Sequence, residues 1–297
     1  MTAAPPLAHP VDALRKYNPD LSMSDLSDDE QADIRARLDA VSNEFEDETG
    51  RAVRERRTGA PDEPRTWEYH DARRAPTNFP LRVDLDHDDV VPIDPSQDTI
   101  EVRTGRDSWD DITDGENDDW WLDYNDGQLK IFRFLVQRIY WEAPDERYLR
   151  ATYRYGALGG DTSRGGQTTL SSQISDSATS FDVDDASRLP TTGILLLGDS
   201  EYVRLTDIDY SADTITVDRG VRRTSRSSHN SGATVHYCPE RVRDGVAAKT
   251  GMEMINTDMW RDKLISTGDE VSLSEKKSDL QDEWETTLAN QSGVVRM

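Results

Sequence analysis

The alternation of apolar and polar positions divides the chain into a helical start, a strand-rich middle and a helical end. Ser27 followed by Glu30 is a capping box, in which each side chain satisfies the other residue's backbone N–H. Ile34, Leu38, Val41 and Phe45 then recur at i, i+4, i+7 and i+11, one face of a helix, and Gly50 supplies its stop. Upstream, Pro5, Pro6, Pro10 and Pro19 mark residues 1–22 as an arm, with one helical piece at 11–17. From Thr66 the period falls to two. Residues 66–69, 81–85, 99–103, 121–124, 128–132 and 150–155 read as strands of a small antiparallel sheet, with Asn125-Asp126-Gly127 as a hairpin turn.

Gly156, Gly159, Gly160, Gly165 and Gly166 then form a linker. Beyond it, residues 168–237 are rich in Ser, Thr and Asp, with strands expected at 180–183, 194–197, 202–208, 214–217 and 234–237. That is a self-contained β module of about 70 residues, near the lower size at which domains fold alone. A helix is expected from 240 to 264, with Val242, Val246, Met252, Ile255 and Met259 on one face. After a polar break, Ser272 and Glu275 open a last helix carrying Leu280, Trp284 and Leu288 at i, i+4 and i+8. So short a helix cannot bury its stripe alone; it packs back on its own domain or docks on a partner.

Charge sharpens this picture. The 297 residues carry 35 Lys and Arg against 59 Asp and Glu, a net charge of −24. Only 6 of the bases are Lys, while 41 of the acids are Asp. This composition resembles that of proteins from halophilic archaea and their viruses. At about 1 M salt the Debye length is about 3 Å, so surface acids scarcely repel one another. The charge excludes a general nucleic-acid binder, which needs a basic face. Seven Trp and ten Tyr argue against full disorder. Neither a signal peptide nor a membrane span is expected.

Candidate chemistry is sparse. Cys238 stands alone, which excludes an internal disulfide and a cysteine metal cluster. Asp84-Leu-Asp86-His-Asp88-Asp89 has an Asp-x-Asp core, but Asp89 and Pro95 occupy the positions where a calcium loop needs Gly and Glu. With 41 Asp in the chain, chance accounts for it. None of the five histidines has metal-ligand spacing, and there is no nucleophile elbow or phosphate loop. The expectation is therefore no catalytic residue, no metal, no cofactor and no enzyme. Two basic clusters stand out: Arg51, Arg54, Arg56 and Arg57, and Arg219, Arg222, Arg223 and Arg226. The first reads as a contact with neighbouring subunits and the second as a contact of the β module; the protein's own acidic face and DNA phosphate are the alternative partners.

Three segments carry a family resemblance. They are Phe45-Glu-Asp-Glu-Thr-Gly50-Arg51 at the end of the first long helix, Arg150-Ala-Thr-Tyr-Arg-Tyr-Gly156, and the Pro239-opened helix with Arg241-Val-Arg-Asp-Gly-Val-Ala-Ala248. Together they resemble the head–tail connector (adaptor) proteins of tailed viruses, over roughly residues 23–156 and 239–265. The stretches Ala178-Thr-Ser-Phe-Asp-Val183, Glu201-Tyr-Val203, Val217-Asp-Arg219-Gly220 and His229-Asn-Ser-Gly232 are similar to a small β module of tailed-virus structural proteins. The resemblance implies an α+β fold: a helical adaptor core with a small antiparallel sheet, plus an inserted all-β domain. The domains would be an N-terminal arm at 1–22, a discontinuous core at 23–160 and 238–266, the inserted domain at 161–237, and an extension at 267–297.

It also implies a virion protein of the neck, in a virus of a haloarchaeon, made in the host cytoplasm. The chain would form a ring of about twelve copies between portal and tail. That ring would extend the DNA channel without binding DNA specifically, and would offer a platform to tail or neck proteins. The β module would point outward, to brace the capsid or decorate the neck. In relatives a C-terminal segment reaches the portal, a role that would fall here on Leu280, Trp284, Leu288, Val294 and Val295. Two rivals are a baseplate or fibre protein with a glycan-binding β module, and a metal hydrolase using Asp84 and Asp86.

Overall fold

The computed structural model describes residues 6–59, 68–71, 81–124, 126–132, 139, 147–156, 166–198, 200–237, 239–264 and 273–292. Val294, Val295 and Cys238 lie outside them. The fold is α+β, with two compact units: Met1–Arg51 together with Gly166–Met297, and Ala52–Gly165.

Among the described residues, the first unit has five α-helices: α1 (Pro10–Tyr17), α2 (Asp28–Thr49), α3 (Glu240–Ile255), α4 (Asp258–Leu264) and α5 (Leu273–Ser292). The capping box of α2 forms as expected. The Glu30 N–H donates to the Ser27 hydroxyl at 3.4 Å, and the Ser27 N–H to the Glu30 carboxylate at 2.8 Å. Gly50 ends the helix at φ +63°, and the Arg51 N–H returns to the Glu46 carbonyl. Ile34, Leu38, Val41 and Phe45 are fully buried.

The expected arm carries a core helix. Pro10 at the first turn presets its φ, and Leu7, Ala8, Val11, Ala13, Leu14 and Tyr17 are buried. The last third of the chain also differs from its pattern. The helix expected over 240–264 ends at Asn256, and the interruption at Asn256-Thr257 rotates the phase. Met259 therefore faces solvent at 48 % exposure, while Trp260 is fully buried against Tyr17. Moreover, α3 is not one-faced. Val242, Gly245, Val246, Ala248, Gly251, Met252 and Met254 are buried all round its circumference, because α1, α2 and α5 pack around it.

Among the described residues, the second unit has nine short strands: β1 (Arg56–Arg57), β2 (Glu68–Asp71), β3 (Leu81–Asp84), β4 (Thr99–Arg103), β5 (Trp109–Asp111), β6 (Trp120–Asp123), β7 (Gln128–Ile131), β8 (Arg147–Thr152) and β9 (Arg154–Tyr155). They form a four-stranded antiparallel sheet in the order β2-β8-β4-β5, a three-stranded sheet β3-β7-β6, and the pair β1-β9. One core joins them, centred on Val83, Ile100, Val102, Trp120, Leu129, Ile131 and Leu149. Gly127 sits at φ +59° with the His87 carbonyl 2.3 Å from where a Cβ would stand, so the hairpin needs glycine there.

The β module of the first unit adds β10 (Gln167–Thr169), β11 (Ser180–Asp182), β12 (Gly193–Leu197), β13 (Glu201–Asp209), β14 (Thr214–Asp218) and β15 (Thr234–Tyr237). Their order is β10-β15-β12-β13-β14-β11, all antiparallel. The sheet curls until its edges meet at a Leu170–Val183 bridge, where the Asp184 N–H donates to the Thr169 carbonyl at 2.9 Å. Closure removes the unpaired edges that a flat sheet would present. Inside, Leu195, Leu197, Val203, Ile215, Val217 and Val235 form the core.

Candidate functional site

The second unit holds the most chemically suggestive cluster among the described residues. Glu68 and His70 stand two apart on β2, so both side chains project from one face. Asp86 comes from the turn after β3, in the other sheet. Ligand atoms of the three lie within 4.8 Å of one another. Glu68 and His70 are buried and Asp86 is exposed, so the cluster opens to solvent on one side.

Glu68 is held on several sides. Its carboxylate accepts hydrogen bonds from the Asp86 N–H and the Tyr153 hydroxyl, each at 2.6 Å. Burial alone would raise its pKa. Contact with His70, the Tyr153 hydroxyl and the Asp86 N–H outweigh that and keep the carboxyl below its ordinary value. Tyr153 is shifted far upward, by burial first and by the Glu68 charge second, and stays a donor. His70 Nε2 makes an ion-pair contact with Glu68 but has no partner in hydrogen-bond geometry, although it is buried. Beside the cluster, His87 stacks on Tyr155 at 3.7 Å with the rings 2° from parallel, and burial lowers its pKa.

The segment 150–156 thereby acquires a physical account. Arg150 pairs with Glu101, and Tyr153 orients Glu68. Arg154 pairs with Asp98 at 3.1 Å, Tyr155 supports His87, and Gly156 passes the Arg54 carbonyl where a Cβ would stand 2.3 Å away. Asp84, by contrast, lies outside the cluster and accepts from Gln128 at 3.1 Å. Of the two aspartates in the hydrolase reading, the structure brings only Asp86 to other candidate ligands. Sequence spacing misses the cluster because its ligands come from β2 and from the turn after β3, with Asp86 18 residues beyond Glu68. The one legible signal is the Glu-x-His pair on a strand.

The two arginine clusters resolve into internal contacts. Arg54 is buried, and Arg56 and Arg57 form β1 opposite Tyr155 and Arg154. Arg57 pairs with the buried Asp98 at 3.0 Å. Arg51 is half-buried just past the cap of α2. Arg219 forms a two-pronged ion pair with Glu201 at 2.8 and 2.6 Å, with neither side chain exposed to solvent. The same carboxylate accepts from the Gly220 and Ser227 N–H groups and contacts His229 at 3.2 Å. Burial would raise the pKa of Glu201, but Arg219 first, then Ser227 and His229, keep it below its usual value.

Arg222 and Arg223 both take left-handed backbone conformations, at φ +56° and +68°. This aims Arg222 at Asp12 at 3.0 Å and Arg223 at the Pro19 carbonyl at 3.0 Å. Arg226 is exposed. Tyr202 completes the junction, its hydroxyl donating to Asp12 at 2.6 Å and accepting from the His9 N–H at 2.8 Å. Arg219 and Arg222 thus hold the module together and fix it to α1, rather than facing outward as free cations.

The C-terminal stripe also turns inward. Leu280 and Trp284 are 5 % and 2 % exposed, with Trp284 edge-on to Phe45 at 5.7 Å. Leu288 is half-buried. Small residues on α3 draw α5 close, and the stripe is buried in its own bundle. Among the described residues no helix is long and apolar enough to cross a membrane. The chain matches no known protein-family model, and no curated protein is recognisably similar to it.

Proposed function

We propose that the chain is a structural protein of a virion neck: an adaptor that forms a ring between portal and tail, extends the DNA channel and supports tail attachment. The observation that carries this reading is the pairing of α2 with α3. The two helices bearing the resembling motifs are nearly 200 residues apart, yet they pack side by side, with Lys249 on Glu44 at 2.7 Å. Between them in sequence lie a compact unit of its own, Ala52–Gly165, and the curled β module, which belongs to the same unit as the helices; a helical scaffold carrying added segments of this kind supports the reading. The acidic surface suits a channel wall past which DNA slides without adhering.

A C-terminal clamp on the portal is part of the proposal, with one physical constraint. Leu280 and Trp284 reach a portal only if α5 leaves its bundle, exchanging one apolar contact for another. Leu288, half-buried on the same helix, belongs to the proposed clamp with them. The test is the mass of the purified chain in molar salt, alone and mixed with portal from the same virus. About a dozen copies per portal ring, closed by rotational symmetry, is the expected result. A trimer indifferent to portal overturns it in favour of a fibre protein.

A further inference from the structure

We propose that Glu68, His70 and Asp86 bind one divalent transition-metal ion of the Zn²⁺ class, which staples together the two sheets of residues 52–165. The inference is independent of the neck assignment.

Three observations carry it. First, the donor set is one imidazole nitrogen and two carboxylates. Mixed nitrogen and oxygen ligation suits Zn²⁺ and its first-row neighbours, whereas Ca²⁺ and Mg²⁺ favour oxygen alone. Second, the spacing fits. Metal–ligand bonds of about 2.0–2.2 Å separate ligand atoms by up to roughly 4.4 Å. A separation within 4.8 Å closes to that by a small rotation of the exposed Asp86 carboxylate. Third, His70 Nε2 is buried and turned into the cluster, against the Glu68 carboxylate that would share the ion with it.

The surroundings are those of a supported ligand set. Glu68 is oriented by the Tyr153 hydroxyl and the Asp86 N–H, the kind of outer contact that fixes a metal ligand's direction. Because Asp86 faces solvent, water completes the coordination there. Glu68 and His70 belong to the four-stranded sheet and Asp86 follows a strand of the three-stranded one, so the ion would bridge two sheets.

The test uses the full chain, stripped with chelator and placed in about 1 M KCl, where screening suppresses diffuse cation binding to surface acids. ZnCl₂ is titrated calorimetrically, and CoCl₂ is added in parallel to read the visible ligand-field spectrum. Expected are one Zn²⁺ per chain, a higher melting temperature with Zn²⁺, and no displacement by equimolar CaCl₂ or MgCl₂. Asp86→Asn should leave the metal-free melting temperature unchanged while weakening Zn²⁺ binding by more than about 100-fold, beyond the usual effect of an outer-shell residue. His70→Gln should change the Co²⁺ spectrum. Asp84→Asn, which removes the same charge two residues away, should leave binding intact. Absence of saturable binding, preference for Ca²⁺, or equal losses in Asp84→Asn and Asp86→Asn would overturn the proposal.

Discussion

At position 9 an imidazole serves as a helix cap. His9 Nδ1 accepts the Val11 N–H at 3.2 Å, which requires the ring to be unprotonated at that atom. Burial lowers its pKa to about 4, with Arg35 adding to the shift and Asp12 and the Ser200 backbone opposing it. A positive charge at the start of α1 would also oppose the helix dipole. The folded chain therefore binds fewer protons at this site than the unfolded chain between pH 6.5 and 4. The stabilisation from the neutral ring is fully present above pH 6.5 and is lost as pH falls toward 4, by roughly 3 kcal/mol. His9→Asn keeps a capping oxygen and cannot titrate. Denaturant unfolding at pH 7 and pH 4.5 should show a smaller drop for His9→Asn than for the natural chain. Equal drops would mean that other groups set the acid sensitivity.

Between elements, α3 and α5 approach each other closely at Gly245. A Cβ on Gly245 would stand 2.5 Å from the Thr287 hydroxyl oxygen and 2.6 Å from its methyl. Gly245→Ala should therefore destabilise the chain by about 1–3 kcal/mol, despite alanine's better helix propensity. The signature is faster hydrogen exchange across 273–292 with the second unit unchanged. This position also marks where pattern reading loses its grip. The start and stop of α2, the strands 99–103 and 234–237, and the Gly127 turn are legible because each rests on local chemistry: a cap, an alternation, a left-handed glycine. The all-round burial of α3 is not, since glycine and alanine carry no apolar stripe and their meaning appears only when neighbours close in. Strands β1, β5 and β10 are two or three residues long, too short to show a period. The Glu68–His70–Asp86 cluster needs two sheets packed together before its members meet. For the Leu280–Trp284 stripe, periodicity identified the apolar face but not what it faces.

For the molecule as a whole, −24 is a repulsive charge held together at close range. Arginines are spent on specific internal pairs, such as Arg219–Glu201, Arg154–Asp98 and Arg222–Asp12, whose partners are almost entirely removed from water. The remaining surface is acidic and responds to ionic strength. Raising KCl from about 0.1 to 1 M shortens the screening length from about 10 to 3 Å. The melting temperature should rise over that range, because surface repulsion is screened while the buried pairs are little affected. A melting temperature that falls with added salt would show exposed ion pairs to be net stabilising instead.

The β module begins and ends at one place. Gln167 of β10 lies opposite His236 of β15, and the Tyr237 N–H donates to the Gly166 carbonyl at 2.8 Å. A gene segment encoding such a body can be gained, lost or exchanged with little strain on the chain that receives it, much as a cassette slots into a fixed frame. What limits the trade is Asp12. Any replacement that omits Tyr202 and Arg222 leaves that buried aspartate facing Arg243 at 4.0 Å, without the hydrogen bonds it accepts now. Exchange thus favours donors that carry a tyrosine and an arginine at the same two positions, or hosts that lose the aspartate first.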